Sequence, residues 1–196
     1  MHSYVFPGDL DKEIAAIGSQ PIPYMRTDGF SKINLENESI LLDLIHCQGG
    51  KVIVYTGSGT GAMSAVVENY VSTKKQAIAV NGGSFGKRWV SLCGYYGIPV
   101  IDFKVPFAKD IDYDELERIV EAERPDVFLC QHHETSTGQL FNLERISGIC
   151  RRHNLSLVVD VISSFLAEEL DMDRLGIDIC VTSTQKGLNI PPGLSI

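Results

Sequence analysis

The sequence predicts an α/β fold: a mostly parallel sheet flanked by helices. Three observations predict it. From about residue 51 onward, short β-branched runs alternate with amphipathic stretches. The short runs are almost continuously apolar rather than alternating, which is how strands buried on both faces read. Each such run is separated from the next by enough chain for a helical crossover, implying right-handed βαβ units.

The elements follow in order. Residues 1–50 hold three prolines and scattered glycines around one helical stretch, about 35–45, and read as an N-terminal arm with a first helix. Residues 51–196 read as one large domain. Residues 52–55 are a strand and 61–71 a helix; 77–80 a strand and 86–96 a helix; 100–103 a strand, with a helix opening at Asp112. There Asp112 and Glu115 have capping-box spacing. Residues 127–130 form the next strand, followed by a helix over 143–153 with Asn142 as its N-cap. Residues 157–159 and 179–181 supply two more strands. The chain stops at Pro191-Pro192-Gly193-Leu194-Ser195-Ile196, a turn and the start of a strand, so the domain is expected to be incomplete at its C-terminus.

Composition narrows the functional classes. The 196 residues are 44% hydrophobic and 21% charged, with a formal net charge of −8. A phosphate-backbone binder needs a basic face, so the charge argues against nucleic acid and equally against an anionic membrane surface. No apolar run reaches the roughly 18 residues of a spanning helix, and Met1-His2-Ser3-Tyr4-Val5-Phe6-Pro7 has neither the basic start nor the apolar stretch of a signal peptide. The five cysteines form no CxxC pair. Cys130, Cys150 and Cys180 stand in apolar stretches, as buried structural thiols in a reducing cytoplasm do.

In an open parallel sheet, ligands bind beyond the carboxyl ends of the strands. After the first strand comes Thr56-Gly57-Ser58-Gly59-Thr60-Gly61-Ala62, directly before a helix. The glycines permit a tight turn, and the helix start offers free amides and a positive dipole end, so this is either a phosphate cradle or a plain strand-to-helix turn. It is neither GxGxxG nor a Walker loop. After the second strand, Asn81-Gly82-Gly83-Ser84-Phe85-Gly86-Lys87-Arg88 holds a phenylalanine between glycines, either folded back on the core or a stacking face for a flat ring. After the fourth comes Gln131-His132-His133-Glu134-Thr135-Ser136-Thr137-Gly138. Adjacent residues of an extended segment point to opposite sides, so His132 and His133 do not share a metal ion, and a polar pocket loop is the better reading. Asp160 ends an apolar strand, where a lone carboxylate needs a cation, a helix to cap or an ion pair; Ser163 and Ser164 equally stand where they could cap the next helix. Lys186 stands one crossover later, on the same sheet edge. A phosphate cradle, an aromatic face, an acid and a lysine around one edge are the four fittings that pyridoxal 5'-phosphate requires.

Five segments carry a resemblance to a known family: Gly57-Ser58-Gly59-Thr60-Gly61-Ala62-Met63, Asn81 to Arg88, His133 to Gly138, Val159-Asp160-Val161-Ile162-Ser163-Ser164 and Ser183-Thr184-Gln185-Lys186-Gly187-Leu188. In order and spacing they resemble class V aminotransferases of fold type I, the branch of alanine–glyoxylate, serine–pyruvate and 2-aminoethylphosphonate–pyruvate aminotransferases. The resemblance implies that Lys186 holds the cofactor by a Schiff base and shuttles a proton, while Asp160 pairs with the pyridinium nitrogen. It implies that Phe85 stacks on one ring face and Ile162 closes the other. Ser58, Gly59, Thr60 and Gln185 would hold the phosphate; Thr135 would contact the ring near its phenolic oxygen, with Glu134 supporting the wall. No metal is implied. The activity implied is ping-pong transamination from alanine, serine or 2-aminoethylphosphonate to glyoxylate or pyruvate, in a cytoplasmic homodimer.

The departures set up two alternatives. The family's Pro-Gly-Pro turn is matched only by Phe6-Pro7-Gly8-Asp9, and its C-terminal domain, with a substrate-clamping arginine, would lie beyond Ile196. One alternative is therefore a non-catalytic remnant that binds the cofactor or a partner subunit. The other is a cysteine desulfurase-like lyase, against which Phe85 argues, because that chemistry usually places a histidine there.

Overall fold

The computed structural model describes residues 10–196. Two helices come first, α1 (Lys12–Gly18) and α2 (Asp28–Leu44). Both start on side-chain caps: Asp11 accepts from the Glu13 amide and Thr27 from the Phe30 amide. The Thr27 cap starts α2 well before residue 35, where the apolar spacing begins. Then follow β1 (Tyr55–Thr56), α3 (Gly59–Asn69), β2 (Ala77–Asn81), α4 (Gly86–Tyr95), β3 (Val100–Lys104), α5 (Tyr113–Glu123) and β4 (Val127–Gln131). A small hairpin of β5 (His133–Glu134) and β6 (Gln139–Leu140) precedes α6 (Leu143–His153), β7 (Ser156–Asp160), α7 (Met172–Leu175), β8 (Ile179–Val181) and β9 (Leu194–Ser195).

The central sheet is five-stranded and parallel throughout, in the order β3-β2-β4-β7-β8. From β2 the chain steps outward to β3 through α4. It then returns past β2 to β4 through α5 and goes on to β7 and β8 through α6 and α7. Right-handed crossovers running in opposite directions require helices on opposite faces, and the core divides that way. Ile78, Val80, Phe128, Cys130, Leu157 and Val159 pack with Leu116 and Val120 of α5 and Ile146 and Ile149 of α6. The alternate residues Ala77, Ala79, Val127, Leu129 and Val158 pack with Met63 and Val67 of α3 and Trp89 and Cys93 of α4. Side chains alternate across a strand, so two covered faces leave no polar position within it. The strand order reverses between β2 and β4, the place where such sheets open a ligand crevice.

Four local expectations need correction. Residues 52–54 join no ladder; Ile53 and Val54 are exposed, and only Tyr55 and Thr56 pair, antiparallel to β9, with Tyr55 opposite Ser195. An apolar run carries strand propensity but does not name its partner. The helix expected over 61–71 begins at Gly59, so the glycine-rich turn forms its first turn. Ser163 and Ser164 cap no helix: they lie in turns after β7, and the short α7 is capped by Asp171. Cys180 is half-buried and lines an apolar cavity of about 330 Å³, whereas Cys130 and Cys150 are enclosed. Asp112 and Asn142 do cap their helices, accepting from the Glu115 and Arg145 amides at 3.0 and 3.1 Å. No helix among the described residues is long and apolar enough to cross a membrane.

Candidate active site

The polar residues singled out in the sequence gather at the carboxyl edge of the sheet. Ser58 is the N-cap of α3: its carbonyl accepts the Gly61 amide at 2.7 Å, and its hydroxyl accepts the same amide at 3.4 Å. Gly59 is packed so closely on the loop after β7 that a Cβ there would lie 2.3 Å from Ile162 Cδ1. That approach brings the first turn of α3 against the residues following Asp160. Thr60 is half-buried, and its Oγ1 accepts a hydrogen bond of 2.6 Å from Nη1 of Arg88. The same guanidinium lies over the Phe85 ring, 4.7 Å from its centroid. Ser58, Gly59, Thr60, Phe85 and Ile162 are thereby joined in one cluster.

Glu134 fixes the position of Phe85. Its carboxylate is fully buried, yet five donors meet it. Oε1 accepts from the Phe85 amide at 3.3 Å, the Ser136 amide at 3.1 Å and the Ser136 hydroxyl at 2.6 Å. Oε2 accepts from the Gly86 amide at 2.8 Å and from Gln131 Nε2 at 2.9 Å. The Phe85 and Gly86 amides open α4, so a negative charge sits where the helix dipole favours it. Gly86 is itself required by the turn, because a Cβ there would fall 2.3 Å from the Val80 carbonyl oxygen.

Asp160 ends β7, nineteen-twentieths buried, directly across from Gln131 of β4 and Val181 of β8. Its Oδ1 accepts the Ile162 amide at 2.8 Å. Burial pushes its pKa up to about 6, with Glu134 nearby adding to the rise; the Ile162 bond and the Arg88 charge oppose it. Lys186 follows β8 on the same edge and is half-buried. Its loop is held by Thr184, whose hydroxyl donates to the Pro191 carbonyl at 2.8 Å, and by the Asn189 amide, which donates to the Lys186 carbonyl at 2.9 Å. A Cβ on Gly187 would fall 1.9 Å from the Phe165 carbonyl oxygen, so the segment after Lys186 lies tight against the loop after β7. Gln185 is half-buried beside it.

Thr135 lies exposed in the turn between β5 and β6, and its neighbour Ser136 makes the clamp contacts to Glu134. His133 is tied to Ser163, Nδ1 to Oγ at 2.9 Å, and His132 is enclosed, with burial lowering its pKa. Two contributors escaped the sequence reading. Arg88 stood inside a quoted motif without a role; a guanidinium reaching across α3 leaves no trace in local spacing. Ser183 is fully buried, its hydroxyl without a hydrogen-bond partner among the described residues, and its Oγ would lie 3.5 Å from a Cβ on Gly59.

Comparison with known proteins shows the family. The family model described as Aminotransferase class-V matches residues 28–196. A Synechococcus protein named as the small subunit of a soluble hydrogenase is 30% identical over 93% of this chain and 48% of its own. The L-aspartate–glyoxylate aminotransferase of Paracoccus denitrificans is 31% identical over 74% of this chain and 38% of its own. Among solved structures, an alanine–glyoxylate aminotransferase from Nostoc sp. superimposes with a TM-score of 0.89 at 29% identity, over 96% of this chain and 50% of that one. The chain thus spans about half the length of such relatives or less. With most of its length matched, the chain belongs to the class V aminotransferases, a family that works with pyridoxal phosphate.

Proposed function

We propose that this protein forms the cofactor-binding part of a transaminase that moves an amino group from alanine, serine or 2-aminoethylphosphonate to glyoxylate or pyruvate. Two of the relatives named above use glyoxylate by title, which supports the acceptor class. The observation that carries the reading is Asp160: a carboxylate buried at the crevice edge, its strand paired in register with the strand that leads to Lys186.

The residues present fit pyridoxal phosphate. A buried acid with a raised pKa lacks a strong counter-charge, and a protonated pyridine nitrogen supplies one. The first turn of α3 offers Ser58 and Thr60 hydroxyls and free amides to a phosphate, with Gly59 letting that turn pack against Ile162 and Gln185 approaching from the β8 side. Phe85 and Ile162 would bracket a flat ring, and Thr135 would contact its phenolic side. Bound there, the cofactor supplies an electron sink that lets an amino group leave carbon as a C–H proton is lost. The remaining chemistry belongs to the chain. Lys186 Nζ would anchor the cofactor and, when released from it, would move the proton lost from the donor Cα. Asp160 keeps a proton on the ring nitrogen, and Phe85 and Ile162 restrict tilt and exclude water. A homodimer is expected for such an enzyme.

The test is direct. The purified chain is mixed with pyridoxal phosphate, reduced with borohydride and mapped by peptide mass spectrometry. The expected label sits on Lys186 and vanishes in Lys186→Ala. Equal labelling of that variant, or a label confined to other lysines, overturns the reading.

A further inference from the structure

We propose that Arg88 is a positioning residue for the phosphate of the cofactor, acting through Thr60. The inference rests on the cofactor reading above, but its observations are separate. Arg88 stands in the first turn of α4, half-buried, and its guanidinium makes two contacts that link different parts of the crevice. Nη1 donates to Thr60 Oγ1 at 2.6 Å on α3, and the guanidinium plane covers Phe85 at 4.7 Å.

The hydrogen-bond inventory of a hydroxyl gives this arrangement its consequence. A threonine hydroxyl carries one proton and two lone pairs, and an arginine only donates. With a lone pair of Thr60 engaged by a cationic donor, its own proton is left to be given away. The natural recipient at the start of α3 is an anion, which the helix amides already favour. Arg88 thus fixes Thr60 as a donor toward phosphate before phosphate arrives. A charge-assisted bond of this length also polarises the O–H, strengthening what it donates. Because Arg88 occupies one face of Phe85, only the other face remains for a ring. Cradle and stacking face are therefore set relative to each other by one side chain. The same charge acts on Asp160, drawing that carboxylate toward its ionised form. Glu134 holds the backbone at the start of α4 and so sets where Arg88 begins; the two residues divide the task between backbone and side chain.

The experiment compares affinity for pyridoxal phosphate with affinity for pyridoxal, which lacks the phosphate, in the native chain, Arg88→Gln, Arg88→Lys and Thr60→Val. Inorganic phosphate is tested alone by its thermal protection of each protein. Arg88→Gln is expected to lose about 10-fold in affinity for pyridoxal phosphate, the scale of one hydrogen bond to a charged group, while affinity for pyridoxal changes little. Protection by inorganic phosphate falls in parallel. Arg88→Lys keeps a cationic donor and restores most of the preference for the phosphorylated form. In Thr60→Val, adding Arg88→Gln costs nothing further, because the relay is already broken. Equal losses for pyridoxal and its phosphate in Arg88→Gln overturn the proposal, as does a full additional loss in the double variant. Failure of the native chain to bind pyridoxal phosphate while inorganic phosphate still protects it through Arg88 sinks the cofactor reading and leaves the phosphate relay standing.

Discussion

Asp160 shows how a residue suited to its chemistry can burden the fold that holds it. Its pKa is about 6 in the folded chain, raised by burial from the ordinary carboxylate range that holds in the unfolded chain. The folded state therefore favours the protonated form. This contribution to stability is greatest below the ordinary carboxylate range, declines as pH rises toward 6, and stays at its lowest above that. Asp160→Asn keeps an acceptor for the Ile162 amide without the charge. At neutral pH the variant should be more stable than the native chain by about 2–3 kcal/mol, with no difference near pH 4. Urea unfolding of the cofactor-free proteins at the two pH values measures this, and an equal difference at both would refute it. Glu134 lies at the opposite extreme: it is buried but fully met by donors, so Glu134→Ala strands the Phe85 and Gly86 amides and the Gln131 amide. It should cost about 3 kcal/mol in the same unfolding assay. Asp160 was visible in the sequence, because it ends an apolar strand where a carboxylate needs a reason; Glu134 was given a role only through the family resemblance. Arg88 was not visible: Phe85 is a near neighbour in the chain, but Thr60 lies in the first turn of α3, and only the fold brings that hydroxyl within reach.

At the scale of elements, legibility followed whether a segment carries its own reason for its structure. The interior strands β2, β4 and β7 are buried on both faces, and all five strands of the central sheet announced themselves as apolar runs. The caps Asp112 and Asn142 were legible because an N-cap bond closes within three residues. The run at 52–55 was misleading, because its fate depends on a partner at the far end of the chain, Leu194–Ser195. The β5–β6 hairpin was equally hidden, four residues held mainly by the turns around Glu134. Glycine placement marks a tight approach between elements. Gly86→Ala would force its methyl group to within 2.3 Å of the Val80 carbonyl at the junction of β2 and α4. The start of α4 must shift, at a cost of about 2–3 kcal/mol typical of overpacking. Because Phe85 and Arg88 ride on that start, the variant should also bind pyridoxal phosphate less well than its lost stability alone explains. Asn142→Ala, losing only the cap bond from the Arg145 amide, should cost about 1 kcal/mol and leave cofactor affinity unchanged. Thermal unfolding with and without cofactor separates the two cases.

For the whole molecule, the sheet order makes the interior strands both the mechanical centre and the floor of the crevice. β2, β4 and β7 each have a parallel neighbour on both sides and helices over both faces. By contrast α1 and α2 bury no residue completely, and only the C-terminal end of α2 is anchored, through the partly buried Leu41 and Ile45 against the core. Local opening free energy follows buried apolar contact, so stability across the chain should be steeply graded. Native-state hydrogen exchange should find the amides of β4 and β7 opening only with global unfolding. Those of α1 and the first turns of α2 should exchange early, with the last turn of α2 in between. Pyridoxal phosphate would tighten the edge of the sheet: the loops carrying Phe85, Glu134, Ile162 and Lys186 should slow markedly on binding, while α1 stays as before. A uniform slowing over all helices would instead mean that the cofactor acts by raising global stability alone. Slowing confined to these four loops is what a site assembled from separate strand ends requires, because each loop is ordered by its own contact with the ligand.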